Sequence, residues 1–346
     1  MAGTWTSQNK VVPGAYINVR TNEPLSITVG DRGTVLILQE MSTGTDGNIY
    51  HMTALESDLP GDTTTADKKL AVEALKNTKT VKIYKLPDTH TQENVEAALQ
   101  VIKTEKWDVL CYPYDGGKAA VKSEIATFIK AMTEEEGVKC QAVLADHTAD
   151  YEGIINVVQS IVLSGNITLT AAETTAWVAG ATAGASIYTS NTGKVYEGAV
   201  DVVPRMTRME MEEAIRAGKF IFKVDSAQNV TAVYDINSLT STSAEKGKLF
   251  TKNRVIRTVY NISNDITSIF ESNYVGKVNN NTEGRSLLKA SLVDYFTTLQ
   301  TMGAVQNFDT DDVSVEAGND SDAVVITAAI QPVDSVEKIY ITVNLS

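Results

Sequence analysis

Between residues 66 and 145 helical and extended periods take turns along the chain: ADKKLAVEALKN, TVKIYKL, TQENVEAALQVIKTE, WDVLCYPY, AAVKSEIATFIKAMTEEE and VKCQAVLA. Apolar residues at three- and four-residue spacing mark the helices, and short apolar runs mark the strands. Such alternation argues for βαβ units and a sheet with parallel strands. The run GIINVVQSIVL reads as one further strand. After it, TAAETTAWVAGATAGASI over residues 170–187 makes a smooth helix, in which Gly180 and Gly184 among alanines allow close approach of a packed partner helix. That segment is too short and too polar at its start to span a membrane.

RMEMEEAIRAGKFIFKV reads as a helix stopped by Gly218 and followed by a strand, with NVTAVYDINSL returning beside it. The polar stretch TSTSAEKGK, residues 240–248, reads as a linker, and after it the character of the chain changes. NRVIRTVYNISNDITSIFES carries Val255, Val259, Ile262, Ile266, Ile269 and Phe270 at helical spacing. EGRSLLKASLVDYFTTLQTMG repeats that pattern with Leu288, Leu292, Tyr295, Phe296 and Leu299. Two strands close the chain, DAVVITAAIQPV and KIYITVNLS. The expected fold class is therefore α/β together with α+β. It divides into an N-terminal arm over 1–20, an α/β domain with a mixed sheet over 21–245, an α+β domain over 246–335 and a terminal arm strand over 336–346.

The 346 residues carry a formal net charge of −13, which argues against a general nucleic-acid binder resting on clustered Lys and Arg. The opening MAGTWTSQNKVVPG lacks an apolar core of signal-peptide length, and no segment approaches the apolar run a membrane helix needs. Synthesis inside the cell without membrane insertion is the expectation. Cys111 and Cys140 sit in apolar strand-like runs and read as buried free thiols.

An enzyme reading has specific places to look, because open α/β sheets bind ligands at the carboxyl ends of their strands. YDGGKAA puts Gly116 and Gly117 ahead of a helix, where free N–H groups could hold a phosphate, but neither GxxxxGK[ST] nor GxGxxG spacing is present. Asp146 and His147 follow an apolar strand, a plausible place for a general base. The three histidines, His51, His90 and His147, have no metal-ligand spacing. The acidic runs TEEEG and DTDD read as a solvated helix end and a polar loop, without the spacing of a calcium loop. No cofactor or metal is expected, and no catalytic residue.

The two ends of the chain differ in charge. Its first 22 residues contain Lys10 and Arg20 and no acid, whereas Ala304 to Ser346 holds eight Asp and Glu against the single Lys338. VVPGAYINVR near the start, with Val11, Val12, Ala15, Tyr16, Ile17 and Val19, reads as a strand punctuated by Pro13 and Gly14. In the terminal run Ile339, Ile341, Val343 and Leu345 alternate with Tyr340, Thr342 and Asn344. Such strands pair either within their own subunit or by β-augmentation of a neighbour.

VVPGAYINVR, EEAIRAGKFIF, KNRVIRTVYNISNDI, YVGKVNNNTEGRSLLK and IQPVDSVEKIYITVNL occur in order over most of the chain. Together they resemble the contractile tail sheath proteins of phages, phage-like elements and R-type bacteriocins, especially the compact kind of Gram-positive bacteria. The second half carries the more specific likeness. The resemblance implies a structural subunit, made in the bacterial cytoplasm, that polymerises helically around an inner tail tube and contracts to drive that tube through a target envelope. It implies terminal arms that exchange strands between copies, an outward α/β domain, a tube-proximal C-terminal domain, and a baseplate and tail terminator as partners. Within that reading Pro13, Gly14 and Pro332 are hinge candidates, and Lys277, Arg285 and Lys289 are candidates to face the tube. An α/β enzyme that oligomerises through its tails and a non-contractile virion tube subunit are the alternatives.

Overall fold

The computed structural model describes residues 29–343 apart from positions 31 and 245. The expected N-terminal strand residues Val11, Val12, Ala15, Tyr16, Ile17 and Val19, the hinge candidates Pro13 and Gly14, and Leu345 lie outside the described residues. In chain order the first part comprises β1 (Thr34–Glu40), β2 (Ile49–Thr53), α1 (Thr65–Leu75), β3 (Thr80–Leu86), α2 (Gln92–Ile102), β4 (Val109–Cys111), α3 (Ala119–Glu134), β5 (Gln141–Ala145) and β6 (Ile154–Val157). It continues with β7 (Ser160–Leu163), β8 (Ile167–Leu169), α4 (Ala171–Gly184), β9 (Ala199–Val203), α5 (Arg208–Arg216), β10 (Lys219–Phe220), β11 (Phe222–Val224) and β12 (Val230–Ala232). The second part holds α6 (Asn253–Ile269), α7 (Thr282–Thr301), β13 (Val305–Gln306), β14 (Val313–Ala317), β15 (Val324–Ala328) and β16 (Gln331–Pro332).

Seven strands form one sheet in the order β10-β6-β5-β4-β1-β3-β2. Only β2 runs antiparallel to its neighbour. The fold is thus mixed α/β with a mostly parallel sheet, followed by a smaller α+β region. β1 shows why its sequence, TVLILQE, is apolar almost throughout: both sides of this strand are covered. Val35 and Ile37 pack with Ala71 and Ala74 of α1 and Ala176 of α4. Leu36 and Leu38 point the other way, against Leu99 of α2 and Ile125 of α3. Cys111 and Cys140 are buried free thiols, and burial pushes the Cys111 thiol up to about 12.

The small-residue helix packs as its composition demands. α4 is buried on all sides, between α1 and the sheet. A Cβ at Gly180 would lie 2.2 Å from the Ala74 carbonyl oxygen, and one at Gly184 would lie 1.8 Å from that of Asn77. Backbone therefore meets backbone here, and no side chain has room. Thr170 caps α4 in a capping box with Glu173, and Thr64, Thr91 and Thr207 do the same for α1, α2 and α5.

The run GIINVVQSIVL forms two strands rather than one, β6 in the large sheet and β7 in a three-stranded sheet with β8 and β9. Gln159, fully buried between them, explains the break. Its amide accepts from Phe222 N at 2.7 Å and donates to Pro204 O at 2.8 Å, so the chain is held by two other segments as it leaves one sheet for the other.

In the second part Leu288, Leu292, Tyr295, Phe296 and Leu299 of α7 are buried against Ile262 of α6, Val305 and Val313. Among the described residues the strands here come in pairs, β13 with β16 and β14 with β15. α6 is buried on more of its circumference than its apolar spacing suggests, because Arg257 finds a buried counter-charge. Arg257 Nη2 lies 3.0 Å from Asp235 Oδ2, and neither side chain is exposed. The same carboxylate accepts from Asn191 N at 2.9 Å and from Asn253 Nδ2 at 3.0 Å. Asp235 thereby ties the segment after β12 to α6 and to the loop after α4. Among the described residues no helix is long and apolar enough to cross a membrane.

Candidate assembly surface

The final described segment is gripped at one point and released beyond it. Lys252, at the entry to α6, holds Glu337 Oε2 at 2.7 Å and also pairs with Asp334. The other oxygen of Glu337 accepts from Thr192 Oγ1 at 2.8 Å and from Ser190 Oγ at 3.3 Å. Burial alone would lower the Lys252 pKa, but Asp334, Glu337 and the Tyr234 hydroxyl outweigh it and raise it. This ammonium therefore holds its proton more firmly than a free lysine does.

After Glu337 the described residues form no hydrogen bond or ion pair to the body, and Ile339 and Tyr340 only lie along a surface groove. Ile339, Tyr340, Ile341 and Val343 are 75–90% exposed. The strand expected over these residues carries no ladder in the single chain, since a strand takes its form from a partner's backbone groups and none is paired with it among the described residues. The body offers edges of the matching kind. β14 is backed by α7, and among the described residues the outer edges of the β14–β15 pair are unpaired, with Val325 exposed.

The remaining sequence candidates fall as follows. Pro332 lies in β16 opposite Val305, and Val333 N donates to Ala304 O at 3.0 Å. Arg285 donates to Asn280 Oδ1 at 2.9 Å, and Lys289 stands on the same face of α7, half-buried. Lys277 is exposed and bonds locally to the Ser272 carbonyl.

The carboxyl ends of the parallel strands do hold a polar cluster, though not where the sequence pointed. Gly116 and Gly117 both adopt positive φ, 60° and 74°, in a plain turn before α3. There Asp115 accepts from the buried Lys122, which also donates to Ala145 O, each at 2.6 Å. Burial raises the Asp146 pKa and lowers that of His147. The histidine that sequence reading passed over, His90, is buried beside Glu40 and Tyr112. Its Nδ1 is 2.6 Å from Glu40 Oε1 and its Nε2 is 2.7 Å from the Tyr112 hydroxyl. A carboxylate only accepts, so Nδ1 carries the proton and Nε2 accepts from Tyr112. Lys118 donates to the His90 carbonyl at 2.8 Å, and Glu40 N donates to the Tyr114 hydroxyl at 2.6 Å. Both ring nitrogens are occupied, so the cluster braces three strand ends and leaves no free base. No group of three or more metal-type side chains gathers among the described residues.

Comparison with known proteins agrees with a structural rather than a chemical site. Residues 88–238 match the phage tail sheath protein central domain, and residues 245–346 match the phage tail sheath C-terminal domain. The phage-like element PBSX protein XkdK of Bacillus subtilis (strain 168) is 36% identical over 256 residues, 72% of this chain and 55% of that protein. The chain thus spans about half the length of that curated relative. The crystal structure of the sheath tail protein DSY3957 from Desulfitobacterium hafniense is 31% identical, with a TM-score of 0.84 over 95% of this chain and 99% of that one. The contracted helical sheath of the anti-feeding prophage shares the fold at 14% identity, with a TM-score of 0.74 over 97% of this chain and 99% of that one. With its parallel-sheet body, its paired-strand C-terminal region and a sequence likeness that spans nearly all of a solved sheath protein, this chain belongs to the phage tail sheath protein family.

Proposed function

We propose that the chain is the subunit of a contractile tail sheath in a phage or phage-like particle. It polymerises helically around an inner tail tube, between a baseplate and a tail terminator, and shortens to drive the tube through a target envelope. The observation that carries this reading is the terminal segment: a clamped root at Glu337 followed by an exposed apolar/polar alternation without a strand partner among the described residues. Such a segment adds to the sheet of a neighbouring copy. Ordering it costs about 1–2 kcal/mol per residue. Burial of Ile339, Ile341 and Val343 at roughly 1.5–3 kcal/mol each, together with backbone bonds of about 1 kcal/mol, supplies the surplus. The open edges of β14–β15 are the accepting surface. The N-terminal strand, Val11 to Val19, takes the same role toward another neighbour, with Pro13, Gly14 and Pro332 turning the chain.

In this arrangement the body over 21–245 faces outward and the region 246–335 faces the tube, with Lys277, Arg285 and Lys289 making releasable polar contacts. Rigid bodies joined by strand-paired arms can change their mutual angle without losing connectivity, and this is what contraction requires.

The test is deletion of residues 338–346. The shortened chain is expected to unfold at the same temperature as the parent and to form no tubes by negative-stain microscopy. A destabilised monomer would show that the segment pairs within its own subunit, and a stable one that still forms tubes would show that it is dispensable.

A further inference from the structure

A groove of about 950 Å³ runs between α5, the irregular segment after β12 and the root of the terminal segment. Val233, Ile236 and Leu239 give it apolar surface, and the exposed Ile339 and Tyr340 lie along it. Charge sets it apart from a chain whose net charge is −13. Five cations line it, Arg208, Arg216, Lys248, Lys252 and Lys338, against the carboxylates of Glu212 and Glu337. Glu212 is shared by Arg208 at 3.1 Å and Arg216 at 3.8 Å, and Glu337 belongs to Lys252. Lys248 and Lys338 are exposed and have no carboxylate partner among the described residues.

The complementary surface lies elsewhere on the same chain. Between Ala304 and Val333 there are six carboxylates, Asp309, Asp311, Asp312, Glu316, Asp320 and Asp322, and no Lys or Arg. None of the six forms an ion pair among the described residues. The turn between β14 and β15 is held in shape by Asn280, whose amide donates to Ser321 O at 2.9 Å and to Ala323 O at 2.8 Å. Asp320 and Asp322 are therefore presented, exposed, on an ordered turn, and a preformed turn loses little freedom on docking.

We propose that the cation-lined groove beside α5 receives the acidic β14–β15 turn of a second copy of the chain. Asp320 and Asp322 meet Lys248, Arg216 and Lys338, and Val325 supplies apolar contact. Groove and turn are different parts of the subunit, so the contact passes from copy to copy in one direction instead of closing into a two-fold dimer. This inference rests on the homopolymer reading and adds to it a contact that is independent of strand exchange. It is also screened by salt, as strand pairing is not.

Two measurements on the full chain test it. Isotopically heavy and light chains are mixed and treated with a carbodiimide, which joins adjacent amines and carboxylates directly. Mixed heavy–light peptides linking Lys248 or Lys338 to Asp320 or Asp322 are expected. Their absence, or groove cross-links that map to another segment, overturns the proposal whether or not tubes form, whereas cross-links without tubes would sink the homopolymer reading alone. The second measurement is a charge swap. R216E/K248E and D320K/D322K, each alone, should raise the concentration needed for polymerisation roughly tenfold, and a 1:1 mixture should restore it, because reversed groove then meets reversed turn. Parent-like assembly by either variant, or no rescue on mixing, also overturns the proposal.

Discussion

The large sheet and the C-terminal strand pairs bury their backbone in opposite ways. In the sheet, β1 sits between β4 and β3, with α1 and α4 covering one face and α2 and α3 the other, so its hydrogen bonds and apolar side chains are used up within the chain. In the C-terminal region, among the described residues, the ladders are two strands wide and their edges stay open. The difference teaches where to look for function in a subunit of a structural family: in the region whose bonding is left unfinished among the described residues. Substitutions in the closed region should be felt as lost stability, and substitutions in the open region as lost association.

The sharpest way to break that division is at the joint between the two regions. Asp235→Ala leaves Arg257 buried without a counter-charge, and it should lower unfolding free energy by about 3–5 kcal/mol in urea titration. A loss under 1 kcal/mol would mean that the two regions hold together without this bond. A smaller effect, within the closed region, is expected at His90. Burial lowers its pKa, while Glu40, through bonds from the His90 ring and backbone, lies below the usual carboxylate range. As pH falls below the ordinary histidine value of about 6.5, the unfolded chain takes up a proton that folded His90 resists. Stability is therefore full above that value and falls on acidification, by at most about 1.4 kcal/mol per pH unit for one group. His90→Gln should flatten this slope between pH 6.5 and 5 while costing about 1–3 kcal/mol at pH 7.5, because its partners lose bonds. An unchanged slope would remove His90 from the acid response. The smallest effect on folding is expected in the open region. Arg285→Glu with Lys289→Glu should change stability by no more than about 0.5 kcal/mol. The same pair should reduce co-assembly on the inner tube at physiological salt, and intact co-assembly would take these residues off the tube face.

Much of the closed region was legible because periodicity is a local signal. The alternation from 66 to 145 and the α7 stripe from Leu288 to Leu299 needed only neighbours along the chain. What escaped depends on partners brought together by folding. His90 meets Glu40 from 50 positions away, and Lys252 meets Glu337 across 85, so no spacing rule announces either pair. Gln159 looked like one more residue of an apolar run, and its two backbone partners lie in segments far along the chain. The apolar spacing of α6 gives no sign that Arg257 is buried, because that burial depends on Asp235 in another segment. For the terminal segment the alternation was plain, but none of the described residues pairs with it.

The Lys252 clamp also sets a length scale. Each residue beyond Glu337 extends the chain by at most about 3.5 Å, so Val343 can stand no further than about 20 Å from the clamp. If neighbouring copies stay linked through this segment, the receiving edge must remain inside that radius before and after the particle shortens. Glu337 then acts as the fixed end of a ruler, limiting how far adjacent bodies can slide and turn in a single stroke.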